Sequence, residues 1–183
     1  MTEPGKVGGR RVHQGRVIAL DIDTVRYPDG STGEMEVIRH PGASAVVPVL
    51  GDAHEADPTI LLIQQYRYAT DGMLFEIPAG RLDAGEDPAV CAARELREET
   101  GCAAAQVTHL FTMFTTPGFT DEVIHLYAAT GLTRGAAARE AHEFIELLEV
   151  PLSAALAMVD RGEIRDAKTA LGLLYFARSR AAR

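Results

Sequence analysis

The apolar positions fall into short runs rather than long stripes. Ser44 to Leu50 and Thr59 to Tyr66 are β-rich and nearly continuous, and they read as central strands joined by the polar loop Gly51 to Pro58. Upstream, Arg16 to Arg26 alternates in part through Val17, Ala19, Ile22 and Val25 and ends in the turn cluster Tyr27-Pro28-Asp29-Gly30-Ser31. Asp29-Gly30 suits a hairpin whose return strand runs from Gly33 to His40, with Met35, Val37 and Arg39 on one face. The first fifteen residues, rich in glycine and charge, are expected to fray.

Downstream, Met73 to Ile77 reads as a short strand stopped by Pro78, and Gly80 to Asp87 as a loop. Asp87-Pro88 is a helix start, because an N-cap Asp accepts orphan backbone N–H groups and a proline at N1 has none to leave unpaired. The helix runs from Pro88 to about Thr100 with the apolar stripe Ala89, Ala92, Ala93 and Leu96, and Gly101 stands at the left-handed cap position. Strands recur at Ala105 to Thr112, Glu122 to Thr130 and Phe144 to Val150, with a polar, Ala-rich loop from Arg134 to Glu140. Two helices close the chain, Leu152 to Arg161 and Ala167 to Arg180, the second amphipathic through Ala170, Leu173, Leu174 and Ala177.

Composition narrows the partners. The chain has 183 residues, with Lys+Arg 18 against Asp+Glu 26 and a formal charge of −8. An acidic surface argues against nucleic acid, whose phosphates call for basic residues. An acidic protein that handles small phosphates needs metal ions. No apolar run approaches the ~20 residues of a membrane helix, and the N-terminus lacks the apolar core of a signal peptide, so the cytoplasm is the expected compartment. Cys91 and Cys102 have no His or Cys at zinc-ligand spacing.

The chemistry concentrates in Gly80 to Cys102, GRLDAGEDPAVCAARELREETGC. Glu95, Glu98 and Glu99 stand at i, i+3 and i+4 on the helix, where like charges repel by a few tenths of a kcal/mol per pair. One reading is a solvated face laced with Arg–Glu pairs through Arg94 and Arg97. The other is a hard-cation site, since clustered carboxylate oxygens suit Mg²⁺ or Mn²⁺. The full spacing decides between them. Gly80, five residues, Glu86, seven residues and then Arg94-Glu95-Leu96-Arg97-Glu98-Glu99-Thr100-Gly101 match GX5EX7REUXEEXGU at all seven fixed letters. Chance gives such a match with a probability on the order of 10⁻⁸ per start position. Cys102 replaces the usual aliphatic residue at the last position, a change that touches packing only.

The pattern resembles the Nudix box, and the element order resembles the Nudix fold, an α/β class with an α/β/α sandwich around a mixed β-sheet and here an N-terminal antiparallel β-hairpin region. The resemblance implies metal on Glu95, Glu98, Glu99 and the carbonyl of Ala79, Mg²⁺ as cofactor with Mn²⁺ able to substitute, and structural roles for Gly80, Glu86, Arg94 and Gly101. Outside the box, Gln64-Gln65-Tyr66-Arg67, Glu76-Ile77-Pro78-Ala79-Gly80, Pro117 fifteen residues past the box, and Gly162 to Thr169 resemble the ADP-ribose pyrophosphatase branch.

That branch implies hydrolysis of ADP-ribose to AMP and ribose 5-phosphate, and a catalytic glutamate on the loop before the last strand. Glu143 is the matching position and Glu140 the runner-up, with Glu98 and Glu99 as further catalytic carboxylates. Arg39, Arg67 and Glu122 are the candidate substrate-binding residues, the arginines because a guanidinium fork matches phosphate oxygens. The expected organisation is an N-terminal flexible segment and hairpin over 1–42, used for homodimerisation and part of the substrate pocket, followed by the hydrolase domain over 43–183. The alternatives are a pyrophosphatase for another nucleotide sugar and, with a different class of function, a domain that senses ADP-ribose without cutting it.

Overall fold

The computed structural model describes residues 3–70, 72–138 and 144–181. The chain divides into two compact units, one formed by Met1–Gly42 with Met113–Ile124 and the other by Ala43–Thr112 with His125–Arg183.

The smaller unit contains an antiparallel three-stranded sheet of β1 (Gly5–Gln14), β2 (Ala19–Arg26) and β3 (Thr32–Arg39), in that order. The β2–β3 turn forms where Asp29-Gly30 predicts it. Gly30 takes a positive φ, and the Asp29 carboxylate accepts from the backbone N–H and hydroxyl of Ser31. The expectation of a frayed N-terminus fails, since residues 5–14 pair along almost the whole of β2. Every side chain of β1 is exposed, so no hydrophobic alternation announces the strand. Its register is held instead by the ladder and by ion pairs, Lys6 to Asp23 at 2.6 Å and Arg11 to Asp21 at 2.7 Å. Gly9 allows a close approach, for a Cβ there would lie 2.7 Å from the Ile22 carbonyl oxygen.

The larger unit carries a seven-stranded mixed sheet. Its central path runs β12 (Ile145–Pro151), β5 (Thr59–Arg67), β4 (Ala43–Leu50), β10 (Val123–Thr130) and β9 (Gln106–Phe114). β4 and β5 pair only where Val49 and Leu50 meet Ile60 and Thr59, and then they part. β5 continues along β6 (Gly72–Glu76), and β4 along β7 (Ala79–Arg81). The loop expected from Gly80 to Asp87 therefore begins as a strand, because Ala79 to Arg81 pair with Ala43 to Ala45 of β4. A two-stranded sheet joins β8 (Cys102–Ala103) to β11 (Thr133–Arg134), inside a stretch expected to be loop at its second end.

Successive side chains of β4 point to opposite faces. Val46 meets Ala92 and Leu96 of helix α1 (Pro88–Thr100), in a cluster with Leu61, Cys102, Tyr127 and Ala129. Val47 meets helix α3 (Ala167–Ala181) at Gly172, where an added Cβ would lie 3.2 Å from Val47 and 3.1 Å from Ile77. Helix α2 (Leu152–Asp160) packs beside α3 and against β5 and β12, completing an α/β/α sandwich. The buried face of α3 is Thr169, Gly172, Leu173 and Phe176, rotated from the expected stripe, and Leu174 is half exposed. Close helix packing on Gly172 turns that edge inward.

Candidate active site

Helix α1 forms where its caps place it. Asp87 accepts from the N–H groups of Ala89 and Val90, Pro88 opens the first turn, and Gly101 closes the last with φ 75°. Any side chain at Gly101 would press its Cβ to 2.5 Å from the Gly135 carbonyl oxygen. With both ends defined, the rotation of the helix is set by Cys91, Ala92 and Leu96 against the sheet. Glu95 and Glu99 flank these residues on the same inward face and are buried at 8% and 2% exposure, while Glu98 points outward with more than a third of its side chain exposed.

Buried carboxylates require partners. Arg94 supplies one. It donates in a bidentate pair from Nε and Nη2 to Glu86, both at 2.9 Å, and from Nη1 to Glu95 at 2.6 Å and Glu98 at 3.1 Å. Nη2 also reaches the Arg81 carbonyl oxygen at 3.1 Å, so one guanidinium ties the loop after β7 to two turns of α1. The hydrogen bond from Arg94 holds the Glu86 carboxyl down at about 2, well below its ordinary value. Glu99 accepts from the backbone N–H of Ala79 at 3.1 Å. Gly80 lies directly against Glu95, and a Cβ built there would fall 1.9 Å from Oε1. Only glycine leaves that carboxylate its place.

Behind the loop, the Cys91 thiol lies 3.6 and 3.5 Å from the carbonyl oxygens of Gly80 and Arg81. Burial pushes this thiol up to about 12, so it acts as a weak donor and not as a nucleophile. Ser44, fully buried and opposite Gly80 in the β4–β7 ladder, donates from its hydroxyl to the Pro88 carbonyl at 2.7 Å.

Arg67 donates from Nε and Nη2 to Glu76 at 2.8 and 2.9 Å, and Lys168 of α3 shares the same carboxylate. Sequence reasoning assigned no role to Glu76, Lys168, Asp166 or Thr169. In the sequence they stand inside the two stretches, Glu76 to Gly80 and Gly162 to Thr169, that resemble the ADP-ribose pyrophosphatase branch, with no role attached to any of them singly. In the smaller unit, Arg39 is wrapped by Asp21, Asp23 and Asp121, and Glu122 accepts from the Thr115 hydroxyl at 2.9 Å with His40 Nδ1 3.4 Å away. Glu140 and Glu143 lie outside the described residues.

Among the described residues, no three His, Cys, Asp or Glu side chains come together as a cation site. The reason is visible in the geometry: Arg94 draws Glu95 and Glu98 to itself, while Ala79 holds Glu99. The donor set nevertheless fits a hard cation. It consists of carboxylate oxygens on one rigid helix, two of them buried, beside a glycine that admits close approach. A positive charge already occupies their company in the form of Arg94.

The chain is similar to known proteins in sequence and in fold. The NUDIX domain model matches residues 39–171. The methanol dehydrogenase activator of Bacillus methanolicus is 41% identical over 167 residues, covering 90% of this chain and 88% of that protein. The ADP-ribose pyrophosphatase of Bacillus subtilis (strain 168) is 37% identical over 175 residues, covering 94% and 92%. The crystal structure of an ADP compounds hydrolase superimposes with a TM-score of 0.83 at 19% identity, covering 100% of this chain and 96% of the other, which shows a common fold. With a family match that spans the box and both sheet-bearing flanks, the chain belongs to the NUDIX family.

Proposed function

We propose that this protein hydrolyses the pyrophosphate bond of ADP-ribose, giving AMP and ribose 5-phosphate, with Mg²⁺ as cofactor. The observation that carries the reading is the pair of buried carboxylates at the entry to the box, Glu95 against Gly80 and Glu99 on the Ala79 N–H. Carboxylate oxygens placed together beside a glycine backbone are the donors that a hard cation takes. Likeness to the B. subtilis enzyme over nearly the whole chain supports ADP-ribose as the substrate.

Glu95, Glu98, Glu99 and the Ala79 carbonyl would hold the cation. When bound, it supplies charge neutralisation for the phosphate oxygens and lowers the pKa of a coordinated water. The residues of the chain do the rest. Arg67 binds a phosphate oxygen through the edge of its guanidinium that Glu76 leaves open. Glu143 accepts the proton of the attacking water, whose oxygen forms the new P–O bond while the bridging oxygen leaves with the other phosphate. Arg94 and Glu86 keep the loop and helix in register so that the carboxylates do not splay.

In the smaller unit, Arg39 and Glu122 are proposed to contact substrate, and a homodimer formed through residues 1–42 is the proposed assembly. An exposed strand such as β1 offers an unpaired edge for a second copy.

Incubation of the purified protein with ADP-ribose and Mg²⁺, followed by chromatography, is expected to yield AMP and ribose 5-phosphate in equal amounts. A Glu143→Gln variant should lose at least about a hundredfold in kcat if Glu143 takes the proton. Absence of AMP from the wild-type reaction would overturn the assignment, and a panel of other nucleotide sugars ranked by kcat/KM would then identify the substrate.

A further inference from the structure

The backbone from Glu76 to Gly80 leads into the box, and each of its residues is held by a different neighbour within the larger unit. Gly80 pairs with Ser44, Ala79 donates to Glu99, the Pro78 carbonyl accepts from Val46, and Ile77 donates to the Thr169 hydroxyl at 2.9 Å. Glu76 is the remaining anchor, and its side chain is 1% exposed. Burial pushes its carboxyl up, but hydrogen bonds and charge from Arg67 and Lys168 more than offset this, and the net direction is down.

Two cations converge on this one carboxylate. Arg67 uses Nε and Nη2, and Lys168 Nζ stands 2.5 Å from Oε2 and 3.0 Å from Asp166. Asp166 also accepts from the backbone N–H and the hydroxyl of Thr169 at 3.0 and 2.5 Å, which caps the first turn of α3. A carboxylate bonded to a single arginine can turn about its last torsion and carry the guanidinium with it. A second cation on Oε2 removes that freedom. Arg67 keeps 41% of its side chain exposed and lies close enough to Glu99 for the Glu99 charge to add to the Glu76 hydrogen bond in raising its pKa. The part of Arg67 that stays exposed therefore lies within electrostatic reach of the carboxylate helix.

We propose that Glu76 and Lys168 are positioning residues that fix the orientation of Arg67 toward a substrate phosphate, making the first turn of α3 part of the phosphate-binding apparatus. The inference rests on the phosphate role given to Arg67 in the proposed function.

Lys168→Met tests it, with Lys168→Arg as rescue and Lys168→Gln, which keeps a donor without the charge, in case the Met variant does not fold. In Lys168→Met, KM for ADP-ribose should rise about tenfold while kcat changes less than about threefold, the cost of loosening one charge-assisted contact made in ground and transition states alike. Lys168→Arg should restore most of the affinity. A substrate-free readout is the ¹⁵N–¹H signal of Arg67 Nε, identified by its loss in Arg67→Lys. It should be sharp and slowly exchanging in the wild type and broadened in Lys168→Met. Unchanged signal and unchanged KM overturn the proposal, as does a broadened signal with KM unchanged. If the wild type does not cleave ADP-ribose while the Arg67 signal still responds to Lys168, the proposed substrate fails and the positioning stands.

Discussion

Arg94 bonds Glu86, Glu95, Glu98 and the Arg81 carbonyl with one guanidinium, and its charge bears most directly on Glu86. The Glu86 carboxyl sits at about 2 instead of the ordinary 4.5, chiefly through its hydrogen bonds to Arg94. A depressed native pKa means that the unfolded chain binds the proton first. The stabilisation is complete above pH 4.5 and is lost as pH falls through about 2. Glu86→Gln should therefore lower the urea midpoint at pH 7, and the gap to the wild type should narrow between pH 4.5 and 2. A gap that stays constant across that range would show that the ion pair contributes nothing.

At the scale of elements, α1 is a helix specified at both ends. Asp87→Ala removes the acceptor for two orphan N–H groups and should cost about 1 kcal/mol in urea denaturation, with the α1 carboxylates otherwise unchanged. The bounds of this helix are legible in the sequence because their signals are local, a cap, a proline and a glycine within fifteen positions, whereas its apolar inward face takes Cys91 with Ala92 and Leu96 and leaves Ala89 and Ala93 half-buried. The central strands were legible for the same reason, their burial being written as continuous apolar runs. β1 was not, since ladder bonds and ion pairs to β2 hold ten exposed residues and neither leaves a periodic trace. β7 was missed because three residues are too few to show a period. Within the candidate site, the box residues could be read from spacing, whereas the Glu76–Lys168 contact joins positions 92 apart in sequence and needed the fold. The α3 face was misjudged where a glycine, which has no apolar signal, turned out to be the point of closest packing.

For the molecule as a whole, the formal −8 is not spread evenly in its effects. In the smaller unit, Asp21 and Asp23 are buried and answered by Lys6, Arg11 and Arg39. In the larger unit, Glu76 is answered by Arg67 and Lys168, and Glu86, Glu95 and Glu98 by Arg94. Most buried acid is thus compensated within the chain itself. The described residues contain no helix long and apolar enough to cross a membrane.

The guanidinium of Arg94 has a further consequence for how the protein is handled by a cell that runs short of divalent ions. A zinc finger collapses when its metal is withdrawn, because the ligands have nothing else to hold. Here the carboxylates proposed to hold the ion already have the Arg94 guanidinium beside them, so folding and activation would be separate events. Excess EDTA should abolish turnover while leaving the melting temperature within a few degrees of its starting value, and added Mg²⁺ should restore the rate without a refolding lag. Circular dichroism and activity followed on one sample would show both, and a parallel loss of structure would refute the separation. Starvation for metal would then leave a dormant stock of folded enzyme, ready at once when the ion returns.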